Sequence, residues 1–199
     1  MPTGLKAVVA GKGRTRHYSG SFRAAITLAL LVAVLSLTQS DVAGSQTKVV
    51  KRSSVTTMTR YEEHLATAIN TTRRRHGLRT LRLVPGLMRS AGKHSLQMAC
   101  EGYFAHSSPN GASFFARVKT YYGGNSSYFS AGENLLWAQP RATPHQVVTL
   151  WLASPAHRQV LLSPQWRAFG VGVVSATHGA GVFAGRTVLL VTGDFAVTR

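Results

Sequence analysis

Three short segments of the sequence concentrate side chains that could do chemistry. His106 lies in YFAHSSPNG, Glu133 lies in AGENL, and His157 lies in WLASPAHR. Two imidazoles and one carboxylate form a possible zinc ligand set that leaves one position open for water. The same groups could act as general base and orienting partner, because imidazole titrates near neutral pH. His106, Glu133 and His157 are therefore the candidate metal ligands, and also the candidate catalytic residues if the protein is an enzyme.

The sequence offers little support for a covalent nucleophile. Ser107 and Ser108 do not follow a strand in the strand–turn–helix pattern that exposes a catalytic serine. Cys100 stands beside Glu101 at the end of an apolar helical pattern, so we expect a buried, unreactive side chain. One cysteine also excludes an intramolecular disulfide.

Each candidate residue has a purely structural alternative. Glu133 could accept backbone hydrogen bonds and pin the loop over residues 123–132, and His157 could bond to a helix carbonyl. His94 falls on the helix predicted to begin at Pro85, where we expect a histidine packed against its neighbours. Trp151 is expected in the core, on the buried stripe of the third long helix.

Periodicity places the three segments on a loop, a turn and a helix. Apolar spacing predicts helices over residues 61–77, 113–122 and 144–162, with another helix opened by Pro85. Val-rich segments at 169–176 and 187–195 predict a hairpin, whose second strand is apolar enough to be central in a sheet. Helices first and strands last predict an α+β domain with helices covering the sheet.

In this order and spacing, the three segments resemble bacterial members of the CAP domain family, the SCP-like extracellular proteins. The superfamily includes cysteine-rich secretory proteins, antigen 5 and plant pathogenesis-related proteins. The similarity extends over residues 61–195, from an opening helix that ends in RRRHGL to a closing GDF. It implies a CAP-type α-β-α sandwich whose central, mainly antiparallel sheet is covered by helices.

The resemblance also implies a surface cleft that holds two histidines and two acids. His106 and His157 match the histidines, and Glu133 matches the acid of the GEN tripeptide. The second acid of the family corresponds to Ser154 here, so at most three of the four groups are kept. The ligand-binding candidates are accordingly His106, Glu133, His157 and Ser154.

The first 44 residues read as an export segment rather than as part of the domain. A basic leader without acids over residues 1–23 precedes an apolar run over 24–37, as in a secretory signal peptide. An uncleaved signal anchor formed by 24–37 is the alternative. Residues 45–59 are then a linker and residues 60–199 the domain. Either reading predicts an extracellular protein, secreted or anchored.

The exported part is strongly basic. From Ser45 onward, 18 Lys and Arg stand against five acids, a net charge of about +13. Such a charge favours anionic partners such as a cell-wall polymer, a lipid or a small ligand. Apart from Arg73, Arg74 and Arg75 the basic residues are scattered, and no basic groove interleaved with aromatics indicates specific nucleic-acid binding.

Two functions follow from these features. The leading one is a module at the cell surface or wall whose His/Glu cleft binds a ligand or depends on a metal, zinc or another divalent cation. The alternative is a hydrolase that acts on peptide or cell-wall material through the same cleft. The absent second carboxylate and the absent nucleophile favour binding.

Overall fold

Among the described α-helices, three begin at a hydroxyl cap, from Thr59, Ser113 and Thr143, and the other two begin at Pro85 and Pro155 without a side-chain cap. The computed structural model describes residues 4–8, 59–139 and 141–199, with only the backbone described for 4–8. The expected apolar run at 24–37 and most of the expected linker lie outside these residues. The helices are α1 (Arg60–Arg75), α2 (Pro85–Glu101), α3 (Phe114–Val118), α4 (Pro144–Ala153) and α5 (Pro155–Leu161).

The start of α1 shows how neighbouring residues fix the end of a helix. Thr59 and Glu62 form a reciprocal capping box that satisfies the first free amides of the helix. Glu62 is fully buried, and its second oxygen accepts the Val173 amide at 3.1 Å. Glu62 therefore also links the start of α1 to the sheet. None of the helices in the described part of the chain is long and apolar enough to cross a membrane.

A five-stranded sheet forms the centre of the domain, in the order β1-β3-β5-β4-β2. The strands are β1 (Gly4–Val8), β2 (Arg82–Leu83), β3 (Phe129–Ala138), β4 (Ala168–Ala176) and β5 (Val188–Thr198). All neighbours pair antiparallel except β2 and β4. The predicted hairpin of β4 and β5 is confirmed, and β5 is central as its apolar sequence indicated.

Helices cover both faces of this sheet, which confirms the expected α-β-α sandwich. On one face α1, α4 and α5 pack against alternate residues of β3, β4 and β5 around Trp151, which is fully buried as expected. On the other face α2 and α3 pack against the intervening residues, including Leu135 and Ala196. The alternation of a strand thus assigns each side chain to one helical layer.

The structure corrects three expectations. The long helix expected over 144–162 is two helices, because Ser154 adopts an extended conformation and Pro155 opens α5. Glu133, expected in a turn, lies in the middle of β3. Cys100, expected to be buried, is exposed.

Glycines on β4 let α2 approach the sheet closely. A Cβ added at Gly172 would collide with the backbone of Ala91 and Gly92 in α2. Nearby, Ser95 donates to the Gly172 carbonyl at 2.9 Å and lies 2.8 Å from the Thr192 hydroxyl oxygen. A polar seam therefore joins α2 to the sheet on the face that also carries Glu133.

We expect Gly172→Ala to destabilise the domain on the order of 3 kcal/mol, because the added methyl forces α2 off the sheet. Ser175→Ala, on the same strand and only half-buried, should change the free energy of unfolding by less than about 0.5 kcal/mol. Urea unfolding followed by circular dichroism measures both. Equal midpoints for the two variants would show that α2 is not packed on β4 in this way.

Candidate functional site

Glu133 is the centre of the site and is fully buried. His106 Nδ1 lies 2.8 Å from Glu133 Oε1, and an Arg117 Nη atom forms an ion pair with Glu133 Oε2. Because an ionised carboxylate only accepts, His106 Nδ1 carries the hydrogen in this pair. Arg117 also donates to the main-chain carbonyl of His106 at 3.2 Å. We call these three residues the Glu133 cluster.

The loop that carries His106 is fastened to α2 by a second histidine. His94 is fully buried, and its Nε2 lies 2.9 Å from the Ala105 carbonyl oxygen, which it must meet as a donor. Burial, followed by the charge of Arg117, lowers the pKa of His94 to about 3. His94 is therefore neutral and structural, as expected from its place on the helix.

Arg117 is positioned by the short helix α3. Ser113 caps this helix by accepting the Ala116 amide at 3.2 Å. Phe114 and Val118 of the same helix are buried against α2 and the sheet, which turns Arg117 toward Glu133. Nothing in the sequence analysis singled out Arg117, since one arginine in a short helix carries no distinguishing pattern.

Asp194 supplies a second carboxyl group that the sequence analysis did not expect at the site. It is the register partner of Glu133 on β5 and is fully buried. Burial raises the pKa of Asp194 well above its ordinary value, and the adjacent Glu133 charge raises it further. Asp194 is therefore protonated when Glu133 is ionised. In the sequence, one feature indicated a special role for Asp194, namely that it is an acid inside the otherwise apolar segment VLLVTGDFAV.

The ionisation of Glu133 reflects opposing influences. Burial raises its pKa to about 7, while Arg117 and the neighbouring Asp194 act to lower it. Without Arg117 the buried group would be protonated over a wider range of pH. The ion pair with Arg117 is thus what allows Glu133 to be ionised at pH values near 7.

His157 is held on the other side of β3. Asn134, next to Glu133, donates to the His157 carbonyl at 2.9 Å. His157 is 2% exposed, and its Nδ1 lies 2.7 Å from the Ser154 hydroxyl oxygen. Successive strand residues point to opposite faces, so Glu133 leads to α3 and Asn134 leads to α5. Of the four residues predicted for the site, the structure joins His106 with Glu133 and His157 with Ser154.

This arrangement does not fit the zinc site expected from His106, His157 and Glu133. The described residues contain no group of three His, Cys, Asp or Glu placed to hold a metal ion. The oxygens of Glu133 already accept from His106 and Arg117, and the adjacent guanidinium would repel a divalent cation. What the cluster can do is present the remaining guanidinium N–H groups of Arg117, held by a buried carboxylate, beside a His106 ring whose Nε2 atom accepts when the ring is neutral and Nδ1 carries the hydrogen.

Cys100 takes no part in the site. It is exposed at the end of α2. Its pKa is raised by partial burial and by the charge of Glu101, which disfavours the reactive thiolate. The expectation of a poor nucleophile therefore agrees with its surroundings, although the expected burial was wrong.

Comparisons with known proteins agree with this fold and this order of motifs. The model of the cysteine-rich secretory protein family, CAP, matches residues 66–193. The Bacillus subtilis protein YkwD is 34% identical over 124 residues, which are 62% of this chain and 46% of YkwD. The chain therefore spans about half the length of this curated relative.

Two solved structures are similar to the domain. An outer surface protein from Borrelia burgdorferi aligns with a TM-score of 0.55 at 19% identity, over 69% of this chain and 92% of that one. An extracellular protein containing an SCP domain, from Bacillus anthracis, aligns with a TM-score of 0.52 at 26% identity. That alignment covers 68% of this chain and 39% of the Bacillus anthracis chain.

The raised pKa values predict how stability depends on pH. For Glu133 the folded-state pKa of about 7 exceeds the ordinary 4.5, so the folded protein loses stability as pH rises from about 4.5 to 7. The loss is on the order of 3 kcal/mol. Asp194 acts in the same direction. His94, with its lowered pKa, acts oppositely below about pH 6.5, so wild type and variant must be compared at each pH.

We expect the stability difference between the Glu133→Gln/Asp194→Asn variant and wild type to move in favour of the variant by about 3 kcal/mol or more as pH rises from 4.5 to 8. Urea unfolding at half-unit pH steps measures this difference, and Glu133→Gln alone serves as the intermediate variant. Parallel stability curves for wild type and the double variant would mean that neither carboxyl is perturbed by burial.

Proposed function

Because this chain belongs to the cysteine-rich secretory protein (CAP) family, we propose that it acts outside the cytoplasm as a ligand-binding module of the cell surface or wall. Recognition takes place at the Glu133 cluster. The family match and the similarity to an extracellular SCP-domain protein support the location. The buried carboxylate that holds two donor side chains supports the site.

One observation carries this proposal. With β1 paired to β3, Glu133 is inaccessible, whereas the side chains of His106 and Arg117 retain 12% and 9% exposure. A ligand therefore meets the guanidinium of Arg117 and the exposed part of the His106 ring, and not the carboxylate itself. Groups oriented in advance bind with little loss of conformational entropy. The complementary ligand carries acceptor oxygens, as in a carboxylate, a phosphate or a peptide carbonyl.

The overall charge assists this recognition without determining it. The net charge of about +13 beyond residue 44 attracts anionic wall polymers or lipid head groups over long range. Not every arginine belongs to that surface, however. Arg73 is fully buried and donates to the Leu161 carbonyl at 2.6 Å and the Ser163 carbonyl at 3.1 Å. It closes the C-terminal end of α5 and is unavailable to a partner.

A hydrolase acting on peptide or cell-wall material is the second candidate. The hydrogen bond between His106 and Glu133 favours it, because a carboxylate that orients an imidazole is a common general-base arrangement. The buried Asp194 restores the second acid whose absence had counted against catalysis. In this reading the Nε2 atom of His106 activates water directly.

We expect binding to purified cell-wall sacculi to depend on Arg117. Arg117→Gln should weaken co-sedimentation with sacculi by at least about tenfold, since a charge-assisted hydrogen bond is lost. The matched control, Arg74→Gln, removes the same charge from an exposed position on α1 and should have little effect at moderate salt. Equal loss in both variants would show that binding is only general electrostatic adhesion.

The same samples separate the two candidate functions. Chromatography of the supernatants should detect no soluble wall fragments released by the wild-type protein. Release that falls by roughly 10²–10⁴-fold in His106→Asn would instead establish the hydrolase, because that is the contribution of a general base.

A further inference from the structure

The outer edge of β3 is covered by a segment that does not belong to the domain. Residues Gly4–Val8 form β1, which pairs antiparallel with β3 and places Val8 opposite Glu133 and Gly4 opposite Trp137. This segment lies in the basic leader, and 50 residues separate it from the next described residue, Thr59. The strand also contacts α5. The covered edge is therefore a slot bounded by β3 and α5.

Export empties this slot. Under the proposed function the domain lies outside the cytoplasm, and the leader is then either cleaved off or retained on the inner side of the membrane. Without β1, the main-chain groups of β3 on this edge lose their partners. An open strand edge readily accepts another strand.

The sequence of β3 lacks the features that protect an open edge. Phe129–Ala138 reads FSAGENLLWA, with no lysine, no proline and one charged residue, Glu133. Edge strands that remain open usually carry inward-pointing lysines, prolines or bulges. Glu133 does not serve this purpose, since it is neutralised by Arg117 and buried against the sheet. The edge of β3 is thus suited to being paired.

We propose that the outer edge of β3 is a binding site for an extended segment of a polypeptide partner, which adds to the sheet as an antiparallel strand. The proposal rests on the proposed function and names the ligand class of that site. Gly4–Val8 shows the binding mode, with five consecutive register positions opposite Glu133–Trp137. Main-chain pairing supplies the affinity and tolerates many sequences.

Specificity arises at one end of the slot. The ligand residue opposite Glu133 stands beside His106 and Arg117 on one face of the sheet, and the residue opposite Asn134 stands toward α5 and His157 on the other. A ligand with an acceptor side chain at the first of these positions would reach the guanidinium of Arg117 in the Glu133 cluster. The two histidine motifs, which β3 separates, would thus face adjacent residues of one bound strand.

The test uses the full chain with its edge opened. Successive backbone amides of a strand point alternately toward and away from the neighbouring strand. Leu5→Pro/Val8→Pro removes one amide of each orientation, so β1 can no longer pair regularly with β3. The probe is a fluorescently labelled, capped peptide with the sequence of residues 3–10, TGLKAVVA, and binding is followed by fluorescence anisotropy. The matched control probe carries proline at the positions of Leu5 and Val8. The exported protein recovered from the culture medium or cell surface is measured alongside.

We expect the probe to bind the opened variant and the exported protein at least about tenfold more tightly than the wild-type full chain. The proline probe should not bind, and hydrogen exchange in residues 133–137 should slow when the first probe binds. No binding to the opened variant, or equal binding of both probes, would overturn the proposal. Self-association that protects 133–137 and excludes the probe would overturn it in favour of a second copy of the chain.

The result can be separated from a failure of the proposed function. Sacculus binding is measured on the same preparations, with Arg117→Gln as its specific variant. Loss of sacculus binding together with intact peptide binding would reject wall recognition and leave the strand site in place. Intact sacculus binding without peptide binding would reject the strand site alone. A chain found only in the cytoplasm would reject the premise shared by both.

Discussion

The buried carboxylate of Glu133 is the constraint on which the functional face of this domain depends. A carboxylate inside a sheet would cost several kcal/mol if left unpaired. Here its oxygens meet Arg117 and His106, and its neighbour Asp194 avoids a second charge by remaining protonated. The loop that supplies His106 and the helix that supplies Arg117 must therefore be in place for the sheet to close.

This coupling explains the supporting contacts around the cluster. His94 fixes the loop through Ala105, and Gly172 lets α2 come close enough for Ser95 to reach the sheet. On the opposite face, Asn134 fastens the start of α5 through His157. Adjacent residues of β3 thus organise two helical layers. A ligand that pairs with this strand would encounter both, which connects the proposed recognition site with the proposed strand addition.

The sequence was sufficient for the elements whose signals are local. Helical periodicity identified α1, Pro85 marked the start of α2, and the apolar hairpin identified β4 and β5. The three motifs identified the family and placed His106 and Glu133 in one predicted site, together with His157 and Ser154. The break between α4 and α5 was missed, although Pro155 was a local signal for it, because apolar spacing continued past Ser154.

What the sequence could not provide depends on long-range pairing. The strand β3 contains Gly132, Glu133 and Asn134, which disfavour strand by propensity, and its pairing with β5 overrides that preference. The same pairing brings Asp194 beside Glu133 from 61 residues further along the chain. His157 was expected to share a zinc site with Glu133. Because Glu133 was expected in a turn, the alternation of side chains along a strand could not be used to test this. In β3 that alternation points Glu133 and the His157 contact residue Asn134 to different faces of the sheet.

The titration of Glu133 tests the central claim most directly. Carboxyl ¹³C chemical shifts of glutamate-labelled protein, with Glu133→Gln used to assign the resonance, give the pKa of this side chain in the folded state. A pKa of about 7 is the expected result, and it should rise further in Arg117→Gln because the ion pair that opposes protonation is gone. A pKa near the ordinary 4.5, unaffected by Arg117→Gln, would mean that Glu133 is neither buried nor paired as described.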